Sequence, residues 1–101
     1  MIRQLKVARD TAAKGRSAAM VTLKAMLVHA PELMRKETAR KTHIMLARHL
    51  AALHPRELKT MGDNSIRHTL RMLARRWQHL DTEAKELAAM IGALSHRTHP
   101  H

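Results

Sequence analysis

The chain has 101 residues, and 19 Lys and Arg against eight Asp and Glu give it a formal net charge of +11. It contains no cysteine, which excludes disulfides and thiolate zinc sites, and Trp77 is its only Phe, Tyr or Trp residue. Because β-sandwich and barrel cores normally need aromatic bulk and period-two strands, we predict an all-α fold. The charge favours a polyanionic partner, because neutralised phosphates release counterions, but charge alone does not distinguish DNA, RNA and an anionic membrane.

The sequence predicts neither a membrane span nor a secretory signal. No apolar run approaches the ~20 residues that a span requires. Residues 1–6 lack the continuous apolar core of a signal peptide, and although an Arg-rich start resembles an organelle presequence, the same helical pattern continues too far for that interpretation. We therefore expect a cytoplasmic protein without a membrane partner.

Residues 1–30 are the first predicted element, a long helix from Ile2 to about His29. Pro31 ends this helix, because proline disfavours helix in the preceding residue while fitting the first turn of a new one. The apolar face is thin, built mainly of alanines around Gly15, and would let another helix approach closely. We expect the bulky residues of the last helix to fill that space, although alanine could simply reflect high helix propensity.

Residues 31–63 predict short helices and a loop. Residues 31–37 place acid in the first turn and base at the end of a short helix, which suits the helix dipole. Residues 42–53 predict a second helix, stopped by Pro55, and residues 56–64 are polar and loop-like. We expect these pieces to join and cap the far ends of the two long helices.

Residues 64–95 predict a second long helix with coiled-coil spacing. Asp63, Asn64 and Ser65 offer N-cap oxygens where the pattern begins, and Gly62 interrupts the preceding segment. Apolar residues then recur in alternating steps of four and three, a 3.5-residue period that keeps a stripe on one side of a helix and requires a partner helix. This predicted seam consists of Ile66, Leu70, Leu73, Trp77, Leu80, Ala84, Leu87, Ile91 and Leu94.

The two long helices have similar lengths, which favours a long antiparallel helical hairpin closed by the short connecting helices. The stripe does not distinguish a partner helix in the same chain from one in a second chain, so a homo-oligomer is also expected. Residues 96–101 predict a disordered tail.

Arginines are the main candidates for a binding function. Arg67, Arg71 and Arg75 are spaced by four, with Arg76 beside them and no carboxylate before Asp81. Like charges at this spacing repel, and contact with phosphates would offset that repulsion. The alternative interpretation is an ordinary charged face in contact with solvent. Neither zinc-finger spacing nor an aromatic stacking surface predicts base recognition. The residues predicted to contact phosphates are Arg3, Arg9, Arg16, Arg67, Arg71, Arg75 and Arg76.

The sequence predicts neither a metal site nor a cofactor. Nine histidines are present, but no His-Glu-x-x-His spacing or cysteine accompanies them. Asp81, Glu83 and Glu86 lie within two helical turns and are interpreted as charge balance on the helix surface. No nucleophile elbow or phosphate loop occurs, so the chain taken alone does not predict an enzyme or a small-molecule substrate.

Two parts of the chain resemble a known family. Residues 2–14 (IRQLKVARDTAAK), 23–28 (LKAMLV) and 30–33 (APEL) resemble the middle of the DEDD-type transposases of bacterial insertion sequences, the family called "IS one-ten". Residues 68–77 (HTLRMLARRW) and 80–87 (LDTEAKEL) resemble the second half of the same region. In that family the segment is a helical coil that joins an N-terminal RuvC-like nuclease domain to a C-terminal domain. The intact proteins act as multimers on DNA, guided by an RNA made from the element.

The resemblance implies a fragment or truncated copy of a transposase, with DNA transposition and recombination as the parent function. The family's four metal-binding carboxylates belong upstream of this segment and its C-terminal serine belongs downstream, so no catalytic residue carries over. The expected contribution of the segment is multimerisation and sequence-independent contact with nucleic acid. Two alternatives stay open: a stand-alone basic coiled-coil protein that binds nucleic acid, and a structural oligomerisation coil whose charge only keeps it soluble.

Overall fold

The computed structural model describes the backbone of residues 1–53 and 61–98, and the side chains of residues 1–53 and 65–95. These residues contain four helices: α1 (Ile2–Leu27), α2 (Glu32–Thr38), α3 (His43–Ala51) and α4 (Met61–Thr98). No strand occurs in the described ranges, so the prediction of an all-α fold is confirmed. None of these helices is long and apolar enough to cross a membrane.

The long helices α1 and α4 pack against each other in antiparallel directions. Arg16 of α1 reaches Asp81 of α4, and the earlier residue Arg9 lies beside the later residue Ala88. The resulting molecule measures 60 × 22 × 20 Å. The predicted long hairpin with short connecting helices is therefore confirmed.

Small side chains allow α1 to approach α4 closely. Ala12 and Ala19 are buried on the face of α1 that meets α4. A methyl group added to Gly15 would lie 3.1 Å from Cδ1 of Leu80, which is tighter than ordinary van der Waals contact. Leu80 thus occupies the space that the missing side chain of Gly15 leaves open.

The predicted seam of α4 lies inside the hairpin of a single chain. Its buried members are Leu70, Trp77, Ala84 and Ile91. The remaining members are half-buried: Ile66, Leu73, Leu80, Leu87 and Leu94. Ala74 lies outside the 4–3 series and is also fully buried. Both α1 and α3 pack against α4, and the contact with α3 covers this additional position.

The short helices α2 and α3 close one end of the hairpin and contribute to its main core. Thr42 begins α3 as its N-cap, since its hydroxyl oxygen accepts a hydrogen bond from the Met45 backbone N–H. One buried cluster joins all four helices, and its largest members are Met20, Leu23, Met34, Leu46, Leu50, Leu70 and Trp77.

The ends of the first three helices differ slightly from the predicted ones. α1 ends at Leu27, before His29, because the His29 and Ala30 backbone N–H groups turn back to the carbonyls of Met26 and Leu27. α2 extends one residue beyond the predicted 31–37, and α3 is shorter than the predicted 42–53. Frayed ends of this size are usual, because terminal turns are held by few hydrogen bonds.

The predicted start of α4 is wrong. The helix begins at Met61, so Gly62 and the predicted N-cap residues Asp63, Asn64 and Ser65 lie within it. Such residues cost about 1 kcal/mol or less each in a helix, and the packing of a long helix outweighs that preference.

The predicted tail also differs, because α4 continues through residues 96–98. Residues 99–101 of that tail and residues 54–60 of the predicted loop lie outside the described residues.

Candidate nucleic-acid interface

The seven arginines predicted to contact phosphates do not form one surface. Since α1 and α4 are antiparallel, the start of α1 lies beside the end of α4, and the end of α1 lies near the start of α4. Arg3 and Arg9 therefore lie toward one end of the 60 Å molecule, whereas Arg67 and Arg71 lie toward the other. Arg75 and Arg76 are consecutive on α4 and so point about 100° apart around its axis.

Three of these seven arginines make no side-chain hydrogen bond or ion pair with the residues that the structure describes. Arg3 and Arg76 are exposed, and Arg67 is half-buried. Their guanidinium groups can reach an external anion without breaking an internal contact.

Three others make local contacts near the protein surface. The Arg9 guanidinium lies 3.2 Å from Oδ1 of Asp10, and Nη2 of Arg71 lies 3.2 Å from Nδ1 of His68. Nε of Arg75 donates to the carbonyl oxygen of Ala51 at 3.2 Å, at the C-terminus of α3. A cation at this position complements the negative end of the helix dipole, so Arg75 has a structural role besides any role in binding.

Arg16 takes part in an ion-pair network between the two long helices. Its Nη1 lies 2.7 Å from Oδ1 of Asp81, and Nζ of Lys85 lies 2.9 Å from Oδ2 of the same carboxylate. The Asp81 side chain is only 15% exposed. Burial alone would raise the pKa of Asp81, but the hydrogen bonds and charges of Lys85 and Arg16 outweigh it and lower that pKa below its ordinary value. A phosphate that binds Arg16 would meet a guanidinium whose charge is already partly neutralised by Asp81.

Replacing Asp81 with asparagine is expected to lower the free energy of unfolding at pH 7 by about 1–2 kcal/mol, because two charge-assisted hydrogen bonds are weakened. The pKa of Asp81 is lower in the folded chain than in the unfolded chain. The carboxylate therefore stabilises the fold fully above the unfolded pKa of about 3.9, and this contribution is lost as the pH falls through the folded pKa. Urea unfolding at a series of pH values measures both effects.

Asp10 offers a matched control for this substitution. Its side chain is 61% exposed and contacts the neighbouring Arg9. We expect Asp10→Asn to change the free energy of unfolding by less than about 0.5 kcal/mol at any of these pH values. Equal losses in the two variants would show that the Asp81 network does not tie α1 to α4.

An open groove of about 510 Å³ lies beside this network, between α1, α3 and α4. Its apolar lining includes the buried residues Met20 and Trp77 and the more exposed Val21 and Ile44. The sequence indicated Ile44 as an apolar residue of a short helix but did not connect it with Val21, because only the docking of α3 brings the two together. The lining combines apolar surface with cations and the carboxylate of Asp81. Within the described residues, no three His, Asp or Glu side chains cluster as metal ligands.

The comparisons with known proteins do not identify the chain. No protein-family model matches it, and neither a curated protein nor a solved structure is significantly similar to it. The resemblance to insertion-sequence transposases therefore stays a prediction, carried by residues 2–14 and 68–77 together with the shorter runs around them.

Proposed function

We propose that this chain is the central helical segment of a DEDD-type insertion-sequence transposase. In this role it assists multimerisation and contacts nucleic-acid phosphates without selecting a base sequence. The proposal assigns no catalytic residue to the chain. It is supported by the sequence resemblance and by the distribution of charge on the hairpin.

The observation that carries the proposal is the surplus of cations on a hairpin in which most of the described carboxylates are already paired. Asp81 and Asp10 engage arginines of α1, and Glu83 lies 3.6 Å from His79. Meanwhile Arg3, Arg67 and Arg76 are free of polar contacts within the described residues. Unpaired cations of this kind release counterions from a phosphate backbone and so favour nucleic-acid binding.

The length of the hairpin suits an extended nucleic acid. Phosphates of one strand follow each other about every 3.4 Å along duplex DNA, so the 60 Å molecule spans roughly 18 of them. Cations at both ends of the hairpin can then contact phosphates more than one helical turn apart. A duplex of about 20 base pairs is therefore the shortest suitable probe.

Multimerisation would require a surface other than the seam, because Leu70, Trp77 and Ile91 are buried within the chain. Val7 and Val21 are exposed on the outer side of α1, fourteen residues apart, and Val28 is exposed seven residues later, directly after the helix ends. A seven-residue recurrence is typical of packing against a second helix. We therefore assign self-association to this outer side of α1.

The test is a titration of the purified chain against a 20-base-pair duplex DNA and a structured RNA of similar length, across a series of salt concentrations. If Arg3, Arg67 and Arg76 each neutralise one phosphate, the logarithm of the binding constant should fall with log salt with a slope of about −2.7 or steeper for DNA. Sedimentation equilibrium on the same sample measures self-association.

The outcomes separate the competing functions. Absence of binding at low salt, together with a stable dimer, would contradict nucleic-acid contact and favour a structural oligomerisation coil. Binding without the expected ancestry would favour a stand-alone basic protein. The encoding DNA decides the ancestry, because a transposase copy should be flanked by coding sequence for the nuclease and C-terminal domains in some reading frame.

A further inference from the structure

Three cations lie together at the end of the hairpin that α2 and α3 close. There a hollow of about 340 Å³ is lined by three cations from three different segments: Lys24 of α1, Arg35 of α2, and Lys41 of the α2–α3 connection. Leu27 and Leu46 contribute apolar lining. No Asp or Glu belongs to the lining, and we call this site the basic hollow.

The nearby carboxylates do not neutralise the basic hollow. The two acids of α2 are engaged elsewhere, since Glu32 lies 3.5 Å from Lys36 and Glu37 lies 3.6 Å from His49. Nζ of Lys24 lies 2.9 Å from Nε2 of His43, an imidazole nitrogen that accepts a hydrogen bond without supplying negative charge. Within the described residues, no carboxylate forms an ion pair with any of the three cations.

The helix dipoles offset only part of this charge. Lys24 and Arg35 lie in the last turns of α1 and α2, whose C-terminal ends both face this region. Each helix C-terminus is equivalent to roughly half a negative charge, so the two ends together offset about one of the three positive charges. A net charge of about two remains at the hollow.

We propose that the basic hollow binds a phosphate group of a nucleic-acid backbone. This inference rests on the proposed nucleic-acid contact and deepens it, because none of the seven arginines predicted from the sequence lines the hollow. The hydroxyl of Thr38, also in the lining, donates to the carbonyl oxygen of Met34 at 3.0 Å and is not free to donate to a ligand. Recognition is therefore by charge and does not select a base.

A triple variant tests the proposal. Lys24→Gln, Arg35→Gln and Lys41→Gln remove the three charges of the hollow, and Lys6→Gln, Lys14→Gln and Arg48→Gln remove three exposed charges elsewhere. We expect the hollow variant to bind the 20-base-pair duplex at least about tenfold more weakly than the unmodified chain, and about fivefold more weakly than the control. Loss of this one phosphate contact should also make the salt slope shallower by about 0.9.

Two further variants separate binding from folding. The exchange of Lys24→Arg, Arg35→Lys and Lys41→Arg keeps the charge, so binding should stay within about threefold of the unmodified chain. Lys41→Gln alone alters a residue outside the helices, and we expect it to weaken binding more than Lys6→Gln does. Circular dichroism and the thermal midpoint establish that each variant is folded.

Three results would overturn the proposal. Equal losses in the hollow variant and its control would reject the hollow while leaving nucleic-acid contact by the chain intact. Absence of binding by the unmodified chain would reject both proposals together. Binding to phosphatidylserine vesicles that depends on the hollow, without binding to DNA or RNA, would show that the phosphate group belongs to a lipid headgroup.

Discussion

Replacing Trp77 with alanine should lower the free energy of unfolding by about 3–5 kcal/mol. The Trp77 side chain is 6% exposed and belongs to the core cluster that joins the two long helices to α2 and α3. Removing the ring leaves a large cavity between helices that close only partly around it. A domain of this size is stable by roughly 5–15 kcal/mol, so the loss would be a large share of the total. Urea unfolding followed by circular dichroism measures it.

Met72 supplies the control, because it lies on the same helix and is 58% exposed. Met72→Ala is expected to change the free energy of unfolding by less than about 0.5 kcal/mol. Similar stability of the Trp77 variant and the unmodified chain would contradict the burial of Trp77 in the hairpin core.

Replacing Leu50 with alanine should cost about 2–5 kcal/mol. Leu50 of α3 is 0% exposed and belongs to the same buried cluster as Leu23 of α1 and Leu70 of α4. The substitution therefore tests whether the short helix α3 is part of the cooperative unit. If it is, the unfolding midpoint should fall while the dependence on urea concentration stays unchanged, because the same surface is exposed on unfolding.

Ile44 is the matched control for Leu50, since it lies on α3 and is 49% exposed. We expect Ile44→Ala to cost under about 1 kcal/mol, because half of its surface already contacts water. Equal small effects at both positions would mean that α3 does not dock on the long helices.

The sequence could predict the architecture because a long helical interface imposes a period. Every residue of the 4–3 series from Ile66 to Leu94 is buried or half-buried in the structure. The period describes one interface only, and therefore it did not find Ala74, which the additional contact with α3 buries. The start of α4 was misplaced because capping preferences are small beside the packing of a long helix.

The candidate site was less predictable, because its contacts depend on how distant segments align. Lys85 and Asp81 are four residues apart on one helix, which a sequence can indicate. The contact of Arg16 with that same carboxylate requires the register of the hairpin, which the fit of Leu80 against Gly15 helps to fix. The three cations of the basic hollow come from three separate segments, so no local spacing in the sequence predicts the site.

The antiparallel pairing also predicts an order of folding. Leu50 and Leu70, which share the main core, are much closer in sequence than Arg9 and Ala88, which meet far along the hairpin. Closing the shorter loop first costs less chain entropy, and each further turn then joins segments already held near each other.

Beyond that core, the described residues bury only the side chains of Ala12, Ala84 and Ile91 along the hairpin. We therefore expect pairing to begin at the end of the hairpin that α3 closes and to proceed from there. The N-terminal part of α1 and the C-terminal part of α4 should pair last and exchange their amide hydrogens first. During synthesis, we expect the alanine face of α1 to stay exposed to solvent until most of α4 has been made, because α4 is the helix that covers this face.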